Sequence, residues 1–90
     1  MNRSEQNVKM ASDLYEARRA AKFLLGKSYQ ETLKGYRDLI ATAMQREQLP
    51  VLRAVLAIVK TMPTADGIPL MCLMAAAVEM IEAEPEMRLN

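Results

Sequence analysis

The chain has ninety residues, which is enough for only one small domain. A domain of this size buries only ~60–65% of the surface that it exposes when unfolded. There is no histidine, so the commonest general base and zinc ligand is absent, and the single cysteine, Cys72, excludes an internal disulfide. The net charge is +1, but residues 1–37 carry eight Lys/Arg against four Asp/Glu, whereas residues 61–90 carry one Arg against five acids. These features predict a cytoplasmic protein that is not an enzyme and holds neither metal nor cofactor.

The first predicted helix covers residues 4–25. Small or apolar side chains recur there at helical spacing, as at Leu14, Ala17, Ala21 and the pair Leu24–Leu25. We expect Gly26 to end this helix in the left-handed C′ conformation, which glycine adopts without steric cost.

The second predicted helix covers residues 29–48. Ser28 and Glu31 have the spacing of a capping box, in which each side chain accepts a hydrogen bond from the other residue's backbone amide. Gly35 lies inside this segment and costs ~1 kcal/mol relative to alanine. We expect a close approach of another helix to explain why a glycine is tolerated there.

The last two predicted helices, 51–62 and 69–84, are apolar nearly all round. Pro50 suits the first position of the earlier helix, and residues 63–67 read as a turn. The apolar stretches are ~12–15 residues long, against ~20 for a bilayer span, so we expect core helices and no membrane partner. The chain is thus predicted to be an all-α, compact bundle of about four helices over residues 1–90, with loose tails at 1–3 and 85–90, and to be oligomeric.

The corner between the first two helices contains three partial motifs. The letters GKS end a phosphate-binding loop, but the required upstream glycine is replaced by Ala21. The segment also resembles a helix-turn-helix, except that Lys27 stands at an apolar position of that motif. Finally, Tyr29, Leu33 and Tyr36 resemble the second helix of a tetratricopeptide hairpin, although a repeat array normally needs at least three units. None of the three motifs is complete.

Acidic residues gather at the end of the last predicted helix, where Glu79, Glu82 and Glu84 oppose the helix dipole. We expect Arg18, Arg19 and Lys22 to offset this charge, either within the chain or across a subunit interface.

An apolar surface on the last two helices is the strongest functional feature. A monomer of this size has too little protein to cover two such helices on every side, so part of their surface should meet a partner. The predicted interface residues are Leu52, Leu56, Val59, Leu70, Met71, Met74 and Val78. The expected partner is a second copy, as in a homodimer or higher assembly, or an amphipathic helix of another protein bound by an adaptor, regulator, inhibitor or small chaperone.

The basic N-terminal half has two interpretations. Its cations could steer the protein partner, or they could bind nucleic acid in a small regulator, which is the alternative function. The residues concerned are Arg18, Arg19, Lys22, Lys27, Lys34 and Arg37.

Overall fold

The computed structural model describes the backbone of residues 3–62 and 67–83, and the side chains of residues 12–62 and 67–83. The helices in these ranges are α1 (Arg3–Leu25), α2 (Tyr29–Glu47), α3 (Val51–Thr61) and α4 (Gly67–Ala83), and a 3₁₀ turn, Gly26–Ser28, joins α1 to α2. No strand occurs in these ranges, which confirms the predicted all-α class. Apart from Arg3 and Gly67, the predicted turn and the predicted tails lie outside the described residues.

Helix α4 forms the centre of the molecule, because α1, α2 and α3 all pack against it. Its buried side chains outnumber those of every other helix within the described residues, and they are Cys72, Leu73, Ala75, Ala76, Ala77 and Val78. The three consecutive alanines keep this helix thin, so that neighbouring backbones can approach from several directions. A helix that is apolar on every side is the type expected in such a position.

Helices α1 and α3 each pack on α4, and they make no comparable contact with each other in the described ranges. Helix α2 packs on both α3 and α4 and makes a smaller contact with α1. The Cα radius of gyration is 12.6 Å, close to the ~12 Å of a compact chain of this length.

The corner between α1 and α2 is built differently from the predicted capping box. Gly26 has the expected left-handed backbone, with φ of 54°. The Ser28 hydroxyl, however, donates to the carbonyl of Leu25 at 2.8 Å and makes no hydrogen bond to the start of α2. The capping-box prediction is therefore wrong. Ser28 lies in the 3₁₀ turn with ψ of 4°, whereas a capping serine normally has an extended backbone.

The link between α2 and α3 is set by backbone geometry around Pro50. Gln48 adopts a left-handed conformation with φ of 54° and ends α2. Pro50 is extended, with ψ of 161°, and its carbonyl accepts the Ala54 amide at 2.9 Å. Pro50 thus caps α3 and is not its first helical residue, one position away from the prediction.

Gly35 does not mark a close contact between helices. It is exposed in α2, and a Cβ built there would have no neighbouring atom within 4 Å. The predicted close approach is wrong, because the side of α2 that packs on its neighbours is the one carrying Leu33 and Ile40, both fully buried.

Candidate functional site

A polar cluster joins the end of α4 to α1 and to the start of α2. The Arg18 guanidinium donates a hydrogen bond to Glu82 and lies 3.8 Å from Glu79 Oε2. The hydroxyl of Tyr29 donates to the same Glu79 oxygen at 2.7 Å. The expected offset of the acidic helix end is therefore made within the chain, by Arg18, whereas Glu84 lies outside the described residues.

The pKa shifts in this cluster follow from its contacts. The hydrogen bond with Glu82 raises the pKa of Arg18, and the same bond lowers the pKa of Glu82. Burial, reinforced by the hydrogen bond to Glu79, raises the pKa of Tyr29 well above that of a free tyrosine. These shifts favour the charged forms of Arg18 and Glu82 and the protonated phenol of Tyr29, which suits a contact that holds helices together.

A cleft of about 480 Å³ lies between α2 and α4. Its wall contains one cation, Arg37, and the carboxylates of Asp38 and Glu79, of which Glu79 already receives the Tyr29 hydroxyl. Arg37 also donates to the Gln30 side chain at 3.4 Å. Arg37 faces carboxylates in this cleft and is therefore a weak candidate for binding phosphate.

Elements of catalytic or metal chemistry are sparse. Burial raises the pKa of the Cys72 thiol, which favours the unreactive protonated form. In the described residues, no three His, Cys, Asp or Glu side chains are grouped so as to share a metal ion. The same ranges contain no helix whose length and apolar character would let it cross a bilayer.

The predicted apolar interface divides into covered and uncovered parts. Val78 is only 2% exposed and belongs to the core, so it is wrong as an interface residue. Six side chains of α4 are buried, since α1, α2 and α3 all pack on this helix, although Ile68 in its first turn is 54% exposed. Leu56, by contrast, is 41% exposed on α3. The remaining predicted interface residues are half-buried, and they are Leu52, Val59, Leu70, Met71 and Met74.

The predicted basic residues also divide. Arg18 is bound to carboxylates and Arg37 lies in the mixed-charge cleft, so neither offers an unopposed positive charge. The four others are exposed, and no described carboxylate lies within ion-pair distance of them; they are Arg19, Lys22, Lys27 and Lys34. The Lys22 ammonium lies 5.6 Å from the centroid of the Tyr29 ring, a cation–π contact.

Several large apolar side chains of α1 and α2 are exposed. Phe23 is 86% exposed and Leu24 58%, while Leu25 is the residue of that run that packs on the core. Likewise Leu39 is 45% exposed beside the fully buried Ile40. Neighbouring residues point ~100° apart around a helix, so each adjacent pair presents one side chain inward and one outward.

Comparison with known proteins adds no family: no family model, curated protein sequence or solved structure matches the chain.

Proposed function

We propose that the protein is a non-enzymatic, cytoplasmic protein–protein interaction module that binds an amphipathic helix of another protein along α3. It would act as an adaptor, a regulator or a small chaperone. The observation that supports this proposal is the α3 row, which consists of Leu52, Leu56 and Val59. Leu56, at its middle, is 41% exposed, and the other two are half-buried.

The spacing of the α3 row suits contact with another helix. Its members stand at positions i, i+4 and i+7, so they form one stripe along the helix. On the adjoining side α3 is anchored by the buried residues Val51, Ala54 and Val55. A partner would therefore meet a stripe held on a rigid element, which lowers the entropic cost of binding.

Helix α4 would contribute a second part of the surface. It packs against α3, and its half-buried residues Leu70, Met71 and Met74 lie in its N-terminal half. Methionine side chains are flexible and polarizable, so they can repack around partners of different shape.

Charge decides which occupant we propose. Helix α3 carries two exposed cations, Arg53 and Lys60, and no acid. A second copy docked through the same row would bring the cations of two α3 helices together without an opposing charge from either helix. A helix with acidic residues beside its apolar stripe would instead complement them. We therefore favour an acidic amphipathic helix over a homodimer as the occupant of this row.

The exposed cations of α1 are not counted as part of this surface, because α1 makes no contact with α3 comparable to its contact with α4. Steering of the partner by Arg18, as the sequence suggested, is likewise disfavoured by the bonds of that residue to Glu79 and Glu82. The orienting role in this proposal passes to Arg53 and Lys60.

The test uses two designed amphipathic peptides with the same leucine stripe, one flanked by glutamates and the other by lysines. Fluorescence anisotropy should detect binding of the glutamate peptide and much weaker binding of the lysine peptide. Leu56→Glu should weaken binding at least ~10-fold, since it places a carboxylate in the apolar contact and opposes the peptide's charge. The matched control is Leu39→Glu, at a leucine of similar exposure on α2.

The competing outcomes are distinct. Equal loss of binding in Leu56→Glu and Leu39→Glu, or failure of both peptides to bind, would contradict the proposal. A measurement of the protein's mass in solution at micromolar concentration tests whether the chain forms a homodimer. A dimer that Leu56→Glu dissociates and Leu39→Glu does not would replace the acidic helix with a second copy as the occupant.

A further inference from the structure

The outward side of α1 carries a ridge in which aromatic and cationic residues alternate. Tyr15, Arg19, Phe23 and Lys27 follow one another at four-residue spacing, and all four are exposed. Residues four apart lie one above the other on a helix surface, so Tyr15 and Phe23 are separated by about 12 Å along the axis with Arg19 between them. Lys27 follows them in the 3₁₀ turn after α1. We call these four residues the α1 ridge.

Phe23 is the most unusual residue of the ridge. Its side chain is 86% exposed, more than any other large apolar side chain in the described part of the chain. The core does not use it, and a ring left in water at this exposure contributes almost nothing to stability. It is, however, well placed to stack against a flat partner.

The charge around Phe23 is positive. No acid occurs between Glu16 and Glu31 in the sequence, and the cations Arg19 and Lys27 stand four residues before and after Phe23. Within the described residues no carboxylate pairs with the ridge cations or with Lys22. The complementary partner is therefore anionic as well as flat.

We propose that the α1 ridge is a binding site for single-stranded nucleic acid. Unpaired bases stack on Phe23, while Arg19, Lys22 and Lys27 contact the phosphates. The Tyr15 ring is less available, because the Arg18 guanidinium lies 5.1 Å from its centroid. Stacking on aromatic side chains combined with a basic track is the way in which proteins bind single strands without reading sequence. A duplex keeps its base faces stacked internally and offers nothing to Phe23.

An anionic membrane is the other partner that such a surface suggests, and the order of residues along the ridge argues against it. Arg19 lies between the two rings, so inserting both rings into lipid would also desolvate a guanidinium. Leu24, the other exposed apolar residue here, is 58% exposed but lies off the ridge. A membrane would use Phe23 and Leu24 together, whereas a stacked base uses Phe23 alone.

The experiment is fluorescence anisotropy of the full chain with a labelled oligothymidylate longer than a site of ~4–16 nucleotides. Phe23→Ala should weaken binding about 5- to 150-fold, the equivalent of ~1–3 kcal/mol of stacking. Phe23→Tyr should retain binding, since it keeps a ring. The matched control Leu24→Ala removes the adjacent exposed apolar side chain and should leave binding unchanged.

Salt gives a second readout. Three phosphate contacts predict a slope of about −2 for log K against log salt, which is roughly a 20-fold loss between about 50 and 200 mM. Arg19→Gln should make this slope shallower by ~0.7. Circular dichroism checks that Phe23→Ala remains folded, as expected for a ring outside the core.

Four results would overturn the proposal. These are no binding at low salt, unchanged binding by Phe23→Ala, a loss in Leu24→Ala equal to that in Phe23→Ala, and binding of a duplex as tight as that of the single strand. Binding to phosphatidylserine vesicles without binding to the oligonucleotide would assign the ridge to a membrane instead.

Discussion

Helices α3 and α4 look alike in the sequence and differ in the fold. Both are rich in alanine and in aliphatic residues, yet α4 buries six side chains against three for α3. Helix α3 keeps Leu56 at 41% exposure in its middle, whereas the exposed large apolar residue of α4, Ile68 at 54%, lies in its first turn. The difference arises from position: α4 contacts α1, α2 and α3, whereas α3 packs on α2 and α4. Apolar composition therefore identifies helices that need cover, and only the packing shows which of them receives it.

The largest expected effect contrasts one leucine from each of these helices. Leu73→Ala should lower the free energy of unfolding by about 2–5 kcal/mol, because Leu73 is fully buried in α4 and its removal leaves a cavity. Leu56→Ala on α3 should cost less than ~1 kcal/mol. Urea denaturation measures both, and similar losses would contradict the assignment of the two helices to core and surface.

A second, smaller effect concerns the polar cluster that holds α4 and that α3 lacks. Tyr29→Phe removes the donor to Glu79 and should destabilise by about 1–2 kcal/mol at neutral pH. Tyr36→Phe is the control, since Tyr36 is half-buried in the same helix and its hydroxyl makes no hydrogen bond to the described residues. Equal losses in the two variants would show that the bond to Glu79 does not matter.

The pH dependence sharpens this test. The pKa of Tyr29 is raised in the folded state, so the folded chain holds a proton that the unfolded chain releases above about pH 10. Stability from this group is complete below that pH and falls as the pH rises further. Tyr29→Phe should therefore lose less stability than the parent protein between about pH 9 and 11, measured by denaturation at each pH.

The smallest expected effects come from replacing two exposed glycines with alanine, which tests whether exposure alone determines the change in stability. Gly35→Ala should raise stability by about 0.5–1 kcal/mol, because the new methyl group meets no atom within 4 Å and alanine favours the helix. Gly26→Ala, also in open space, should instead destabilise by ~1 kcal/mol, since φ is 54° there. Thermal melting compares the two, and a gain in both would show that the left-handed corner carries no strain.

Local features of the fold were readable from the sequence. The spacing of apolar residues indicated an all-α chain, and Gly26 was correctly expected to be left-handed, because each depends on chain-local geometry. The pairing of the acidic end of α4 with Arg18 was also anticipated from charge. Whether that pair would form within one chain required the packing of α1 on α4.

The burial of a side chain by other helices could not be predicted from the sequence in this way. Val78 has the same apolar character as Leu56, and only the arrangement of the helices separates them. Gly35 suggested a close contact between helices because glycine destabilises a helix interior. In the structure, however, this position of α2 faces solvent. The four-residue alternation in the α1 ridge is present in the sequence, although its meaning depends on knowing which side of α1 faces outward.

The central place of α4 has a consequence for synthesis. Because α4 follows α1, α2 and α3 in the chain, a ribosome completes the three surrounding helices before the helix on which they pack becomes available. Until then α1, α2 and α3 each lack a helix against which they pack in the folded chain. A stable fold therefore requires contacts between segments that are distant in the chain, such as α1 and α4. Before these contacts form, the nascent chain exposes apolar surface that can aggregate.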